Sequence, residues 1–324
     1  MFLNKLLPRH LIHAKSLSTK TITKSTSALF FKPEVQELLL KLTRIDLSKV
    51  FRKQKYGQEL KPPEYKFLTT EEVEKLKEEA YNRAIKKMQM PPIVPARDDS
   101  KLEVLSNDKE LLGHDVCKYV FTDITFGISD AKRIIVVREP DGLLREANTN
   151  ERHRMNNIYF SRPGATYKHP DMFEEENLKA LCDRKEYVFI LDRAATQYEP
   201  DDQLYHNILN TTFTHIHENN GFDHLRSTRH FGCLVFFLAN NNIIDNLLLQ
   251  NLHCNMIEDA VWLIKVYQIV NPESKCATVE HIQGKDTEFV QSYIDLDSSK
   301  KDILSHFFPS QFLCQYNGIF LSCG

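Results

Sequence analysis

The sequence predicts an α+β protein, predominantly α-helical, with N-terminal helices, a small antiparallel β-sheet and a C-terminal helical-hairpin region. Three observations predict it. Glycine is scarce, at 10 of 324 residues, against a usual share of about 7%, and long mixed-charge stretches favour helices. Apolar residues recur at helical spacing before residue 92 and again after residue 148. Between those stretches, aromatic and β-branched residues alternate with a period of two.

Residues 1–32 differ from the rest. They hold six Lys or Arg and no acid, Glu34 being the first. Ser and Thr crowd the stretch from Ser16 to Ser27. Leu3, Leu7, Leu11 and Ala14 share one helical face, with Lys5, Arg9 and His13 off it. This is the composition of a mitochondrial transit peptide. A membrane potential that is negative inside draws such positive charge inward. Pro8-Arg9-His10 interrupts the apolar run too early for a secretory signal. A basic arm that touches nucleic acid is the alternative.

Residues 33–92 read as an N-terminal helical region. Pro33 opens a helix whose apolar positions are Val35, Leu38, Leu39 and Leu42. Asp46 caps a second, short helix. Thr69 and Glu72 have the spacing of a capping box, ahead of a helix with Val73, Leu76, Ala80, Ala84 and Met88 on one stripe. Glu71–Lys75 and Glu79–Arg83 are i,i+4 pairs in the favourable order. Pro91-Pro92 ends that helix, and residues 93–115 read as a linker.

Residues 116–148 read as the sheet. Lys118 to Phe126 and Arg133 to Arg138 are strands, Glu139-Pro-Asp-Gly142 is turn chemistry, and Leu143 to Ala147 folds back as a third strand. Residues 149–272 read as a helical domain with helices over 149–160, 173–183, 184–198, 201–219, 223–240 and 243–270. Short connections suggest antiparallel hairpins or a short solenoid. The pattern fades in a tail, residues 273–324.

Composition narrows function. Without residues 1–32, 36 Lys or Arg face 44 Asp or Glu, a net of −8. An acidic body excludes a protein that coats nucleic acid along its length, and leaves local patches. No stretch reaches the ~18 apolar residues of a spanning helix, so no membrane partner is expected. Neither G-x-G-x-x-G nor G-x-x-x-x-G-K is present. The seven cysteines include no C-x-x-C pair and read as free, mostly buried thiols.

No catalytic, cofactor-binding or metal-binding residues are expected. His215 and His217 are two apart, so on a helix they do not share a face. His253-Cys254 are adjacent and point about 100° apart, one expected exposed and one buried. Asp201-Asp202 after Pro200 reads as a helix N-terminus. What stands out is cation beside aromatic: Lys49, Arg52, Lys53 and Lys55 near Phe51 and Tyr56; Arg138 with Arg145; Arg152 with Arg154, near Tyr159; and Arg226 with Arg229, near Phe231. These ten are the candidate contacts to RNA or a neighbouring protein. The bland reading is a solvated face paired with the chain's own carboxylates. Charge reversal at Arg226 and Arg229 is expected to impair assembly with little change in melting temperature.

Several long strings carry a resemblance. They are Glu59-Leu-Lys-Pro-Pro-Glu-Tyr-Lys66, Met90-Pro-Pro92, Lys118-Tyr-Val-Phe-Thr-Asp-Ile124, Ile135-Val-Val-Arg-Glu-Pro-Asp-Gly-Leu-Leu-Arg145, Glu151-Arg-His-Arg-Met155, Phe173-Glu-Glu-Glu-Asn-Leu178 and Leu225-Arg-Ser-Thr-Arg-His-Phe-Gly232. In this order they resemble the mitochondrial small-subunit ribosomal proteins numbered twenty-two, over about residues 33 to 272. The resemblance implies a structural component of the small subunit of the mitochondrial ribosome, in the matrix. Its implied partners are mitochondrial small-subunit rRNA and other small-subunit proteins, with no small-molecule substrate. After Pro272 the chain departs from the family's pattern. Two other readings stay open: a free helical-repeat RNA-binding factor of the matrix, and a matrix enzyme with an unrecognised site.

Overall fold

The structure, a computed structural model, describes residues 20–51, 65–130 and 132–306. Most of the expected leader, and Arg52, Lys53 and Lys55, lie outside the described residues.

Helix α1, Lys24–Phe30, starts on the Thr23 cap, whose hydroxyl accepts from the Thr26 amide. Pro33 opens α2, Pro33–Thr43, at a position where its missing N–H costs nothing. Asp46 caps α3, Leu47–Val50, as expected. Thr69 and Glu72 close both bonds of the capping box at the head of α4, Thr70–Lys87. The apolar stripe of α4 is used only at its C-terminal end. Ala84 and Met88 are buried, whereas Leu76 is exposed. Arg83 reaches back to the carbonyl oxygen of Glu79, not to its carboxylate.

The sheet has four antiparallel strands, one more than expected. Strand β1, Val104–Asn107, comes from the segment read as linker, and is followed by β2, Tyr119–Thr122, β3, Ile135–Arg138, and β4, Leu143–Glu146. Their order is β1-β4-β3-β2. A bulge between Val104 and Ser106 breaks the register that period-two reading depends on. Gly142 ends the β3–β4 turn at φ 88°, and a Cβ there would sit 1.9 Å from the Asp108 carbonyl oxygen. Only glycine tolerates both the positive φ and that approach. Beneath the sheet, Ile135, Val137 and Ala147 form a small core with Val120 and Met155.

The helical region follows as α5, Thr149–Tyr159; α6, Glu175–Asp183; α7, Tyr187–Gln197; α8, Gln203–Glu218; α9, Phe231–Asn240; α10, Asp245–His253; α11, Ile257–Val270; and α12, Asp286–Leu296. Asp202 caps α8, accepting from the Leu204 amide at 2.8 Å. Two expectations change. The helix over 243–270 is broken into α10 and α11 at Asn255, which takes a left-handed φ of 55°. Its stripe still points inward, with Leu248, Leu252, Ala260, Leu263 and Tyr267 all buried. The helix over 223–240 begins only at Phe231, after a 3-10 turn at Phe222–His224.

Every residue of α9 is buried. A helix apolar all round belongs in the middle of a core. Helix α2, from far upstream, packs on both α9 and α11, and α12 packs on α11. These long-range contacts distinguish the arrangement from a solenoid, in which each repeat touches only its neighbours. The segment after Pro272 joins the same core through Cys276, Phe289, Val290, Tyr293, Ile294 and Leu304. Its alternation of short turns and one helix hid that role in the sequence.

Candidate functional site

Of the sequence-predicted cations, those on the sheet and α5 are drawn inward. Arg138 donates to the Gly142 carbonyl oxygen at 2.7 Å and so holds the hairpin turn. Arg145 sits between two carboxylates, 2.6 Å from Glu139 and 2.9 Å from Glu151. Glu151 also closes a capping box with Asn148 at the head of α5. Arg152 is buried and donates to the carbonyl oxygens of Arg133 and Asp130. Arg154 projects from the same helix but is exposed, 5.5 Å over the Tyr167 ring.

Arg226 and Arg229 diverge. Arg226 donates to Asp259, to Asp223 and to the Asn251 side-chain oxygen, and its guanidinium lies 5.1 Å over Phe231. Asp259 is fully buried and is held from its other side by Arg44, 2.9 Å away. Reversing the charge at Arg226 would set two carboxylates face to face in the core. For that residue this geometry argues against the expected small change in melting temperature: its partner Asp259 is buried, which no local pattern discloses. Arg229 is more open and pairs with Asp192 at 2.6 Å. Asp192 also accepts from His230 at 2.8 Å. Burial raises the Asp192 carboxyl pKa, but His230 and Arg229 outweigh it and hold the value below normal.

Lys49 links α3 to the loop ahead of α9. Its ammonium donates to the carbonyl oxygens of Asp223, at 3.0 Å, and Arg226, at 2.5 Å. Burial depresses its pKa, and nearby Asp223 and Asp46 oppose that.

Sequence reading missed several cations. Arg133 is buried under the Phe160 ring at 3.5 Å and binds the carbonyl oxygens of Asp123 and Ile128. Lys86 and Lys87 end α4, and Lys87 lies 4.7 Å over Phe51. Adjacent lysines at a helix end were the available signal.

The histidine and cysteine pairs resolve. His215 binds Tyr187 and Asp183, while His217 faces Asn246 and Phe222. His253 and Cys254 are both exposed, because α10 ends there and neither is held against the core. Cys182, Cys233 and Cys276 are buried, and burial pushes their thiol pKa values up to about 11, 12 and 12. Among the described residues no group of three or more His, Cys, Asp or Glu is placed to hold a metal ion, and no helix is long and apolar enough to cross a membrane.

The outer face of the sheet is of a different kind. Tyr119 and Phe121 on β2 pair in register with Arg138 and Val136 on β3. Tyr119, Phe121 and Ile134 are about half exposed or more. These side chains leave apolar surface open to solvent on the face away from Ile135 and Val137.

The arrangement is that of an interaction protein: a helical core whose buried charged groups Asp245 and Asp259 are bonded within the chain, basic side chains on the surface, and a sheet face that exposes apolar side chains. Comparison with known proteins places it. The family described as "Mitochondrial 28S ribosomal protein S22" matches residues 28–272. Two proteins named "Small ribosomal subunit protein mS22" are similar. The one from Bos taurus is 38% identical over 248 residues, 76% of this chain and 68% of that protein. The one from Mus musculus is 36% identical over 270 residues, 83% of this chain and 74% of that protein. The chain belongs to this family.

Proposed function

We propose that this protein is a structural component of the small subunit of the mitochondrial ribosome, working in the matrix by assembly and not by catalysis. The family match over residues 28–272 carries the reading. Its partners are small-subunit rRNA and neighbouring small-subunit proteins. Charge supports that division. A body with excess carboxylate engages RNA only where cations reach the surface, as at Arg154, Lys49 and Arg229. The apolar outer face of the sheet, with Tyr119, Phe121 and Ile134, suits a protein neighbour.

Sedimentation of tagged protein from a mitochondrial lysate tests the reading. Comigration with the small subunit is expected, together with loss of mitochondrial translation on depletion. A low-mass peak would reject it in favour of a free RNA-binding factor or an enzyme.

A further inference from the structure

Two openings in the surface meet along the line from Lys87 to Arg229. One, of about 540 Å³, is bordered by Lys49, Lys87, Asp192 and Arg229. The other, of about 480 Å³, is bordered by Lys86, Lys87, Tyr198 and Arg229. Lys87 and Arg229 border both, so the two openings adjoin and together make a two-part cleft. Its walls are the last turn of α4, the flank of α7 and the segment just before α9.

The cleft is basic in an otherwise acidic molecule. Lys49, Lys86, Lys87 and Arg229 line it, and Asp192 is the one carboxylate among its lining residues. That carboxylate is already engaged by Arg229 and His230. The lining charge is therefore +3, in a chain whose net charge is −2.

One lysine would suffice to complement the C-terminal dipole of α4. Two lysines there, joined by cations from α3 and from the loop before α9, go beyond that need. Cations brought from three separate segments and spread along a groove match a continuous line of negative charge better than a single anion. Lysine serves phosphate as a point charge with three donors.

We infer that this cleft is a binding site for the sugar-phosphate backbone of RNA, with Lys86, Lys87, Lys49 and Arg229 contacting phosphates. The inference rests on the ribosomal reading above and locates where the RNA lies.

The test uses the full chain and a fluorescein-labelled 20-nucleotide poly(U), which reports backbone contact without sequence. Lys86 and Lys87 are exposed, so K86Q/K87Q leaves the fold intact, as circular dichroism would check. Binding should weaken roughly tenfold at low salt, and the log–log salt slope should fall by about 1.4, near 0.7 for each lost phosphate contact. The control K75Q/K77Q removes the same charge from the same helix away from the cleft and should leave both unchanged.

Unaltered binding by K86Q/K87Q, or an equal loss in the control, overturns the inference. Equal competition by polyglutamate of matched charge also overturns it and assigns the cleft to an acidic protein segment. Sedimentation separates the two failures. Wild-type protein that comigrates with the small subunit, while K86Q/K87Q binds RNA normally, removes the cleft and keeps the ribosomal reading. Wild-type protein at low mass removes that reading, and this inference with it.

Discussion

Arg226 and Asp259 form an ion pair of 3.1 Å that joins the loop before α9 to the first turn of α11. Asp259 has no solvent exposure, and Arg44, following α2, closes on it from the other side. Three segments far apart in the chain are tied at one carboxylate.

Replacing that carboxylate leaves two guanidinium groups without their shared counter-ion. Breaking a buried pair from one side costs about 3–5 kcal/mol. Asp259→Asn is expected near the low end, because Arg44 is half exposed and regains water. Arg226→Gln should cost less than Asp259→Asn, and Arg44→Gln least. Urea denaturation of the three variants measures the order. A smaller loss for Asp259→Asn than for Arg44→Gln would contradict it.

The N-terminal segment makes a second prediction. Phe30 is buried and packs edge-on against Phe236 of the central helix at 5.1 Å. The Ser27 hydroxyl donates to the Ile93 carbonyl oxygen at 2.8 Å. A chain cut after residue 32 loses these contacts, and Phe-to-Ala changes in cores cost about 3–5 kcal/mol. A chain beginning at Pro33 should melt several degrees below one beginning at Lys20. The mature N-terminus, read by mass spectrometry of protein from mitochondria, should fall before α1. An end at residue 33 would refute this.

Histidines make the third. Burial lowers the pKa of His206, His217 and His230, and of His153, where His169 and Arg162 add to the effect. The folded chain thus favours neutral imidazole, while the unfolded chain takes up protons near pH 6.5. Where the unfolded state binds more protons, stability rises with pH. The stability is present above about pH 7 and is lost as pH falls through 6.5 toward the folded values. His206→Gln, which can still donate toward the Pro200 carbonyl oxygen, 3.0 Å from the His206 ring, should flatten the melting-temperature profile between pH 7 and 5. A variant with an unchanged acid slope would show that His206 does not carry it.

Local structure was largely legible along the chain. The Thr69–Glu72 box, the Asp46 and Asp202 caps, Pro33 at a helix start and the Glu139–Gly142 turn are all formed as their residue types require. Each needs only neighbours within four residues, so sequence order alone supplies both partners. The family strings were legible for the same reason, being contiguous. Strand β1 was not, since its alternation is broken by a bulge and its partner lies some 40 residues on. The role of residues 273–304 was not: Phe289, Val290, Tyr293 and Ile294 keep helical spacing on α12, but tertiary packing decides that they join the distant core.

The sequence by itself determined a predominantly helical α+β chain, its caps and turns, its acidic body and its family. The tertiary structure decided what the charges do. Arg145, Arg152 and Arg226 look alike in sequence to Arg154 and Arg229, yet the first three are drawn inward onto partners brought to them by folding, Arg229 pairs with Asp192 but stays partly open, and Arg154 stays exposed. Lys86 and Lys87 gain meaning only when α3 and the loop before α9 bring Lys49 and Arg229 alongside. The reason is one of range. Capping and periodicity are written between near neighbours, whereas burial and charge pairing depend on which distant surfaces the apolar core draws together.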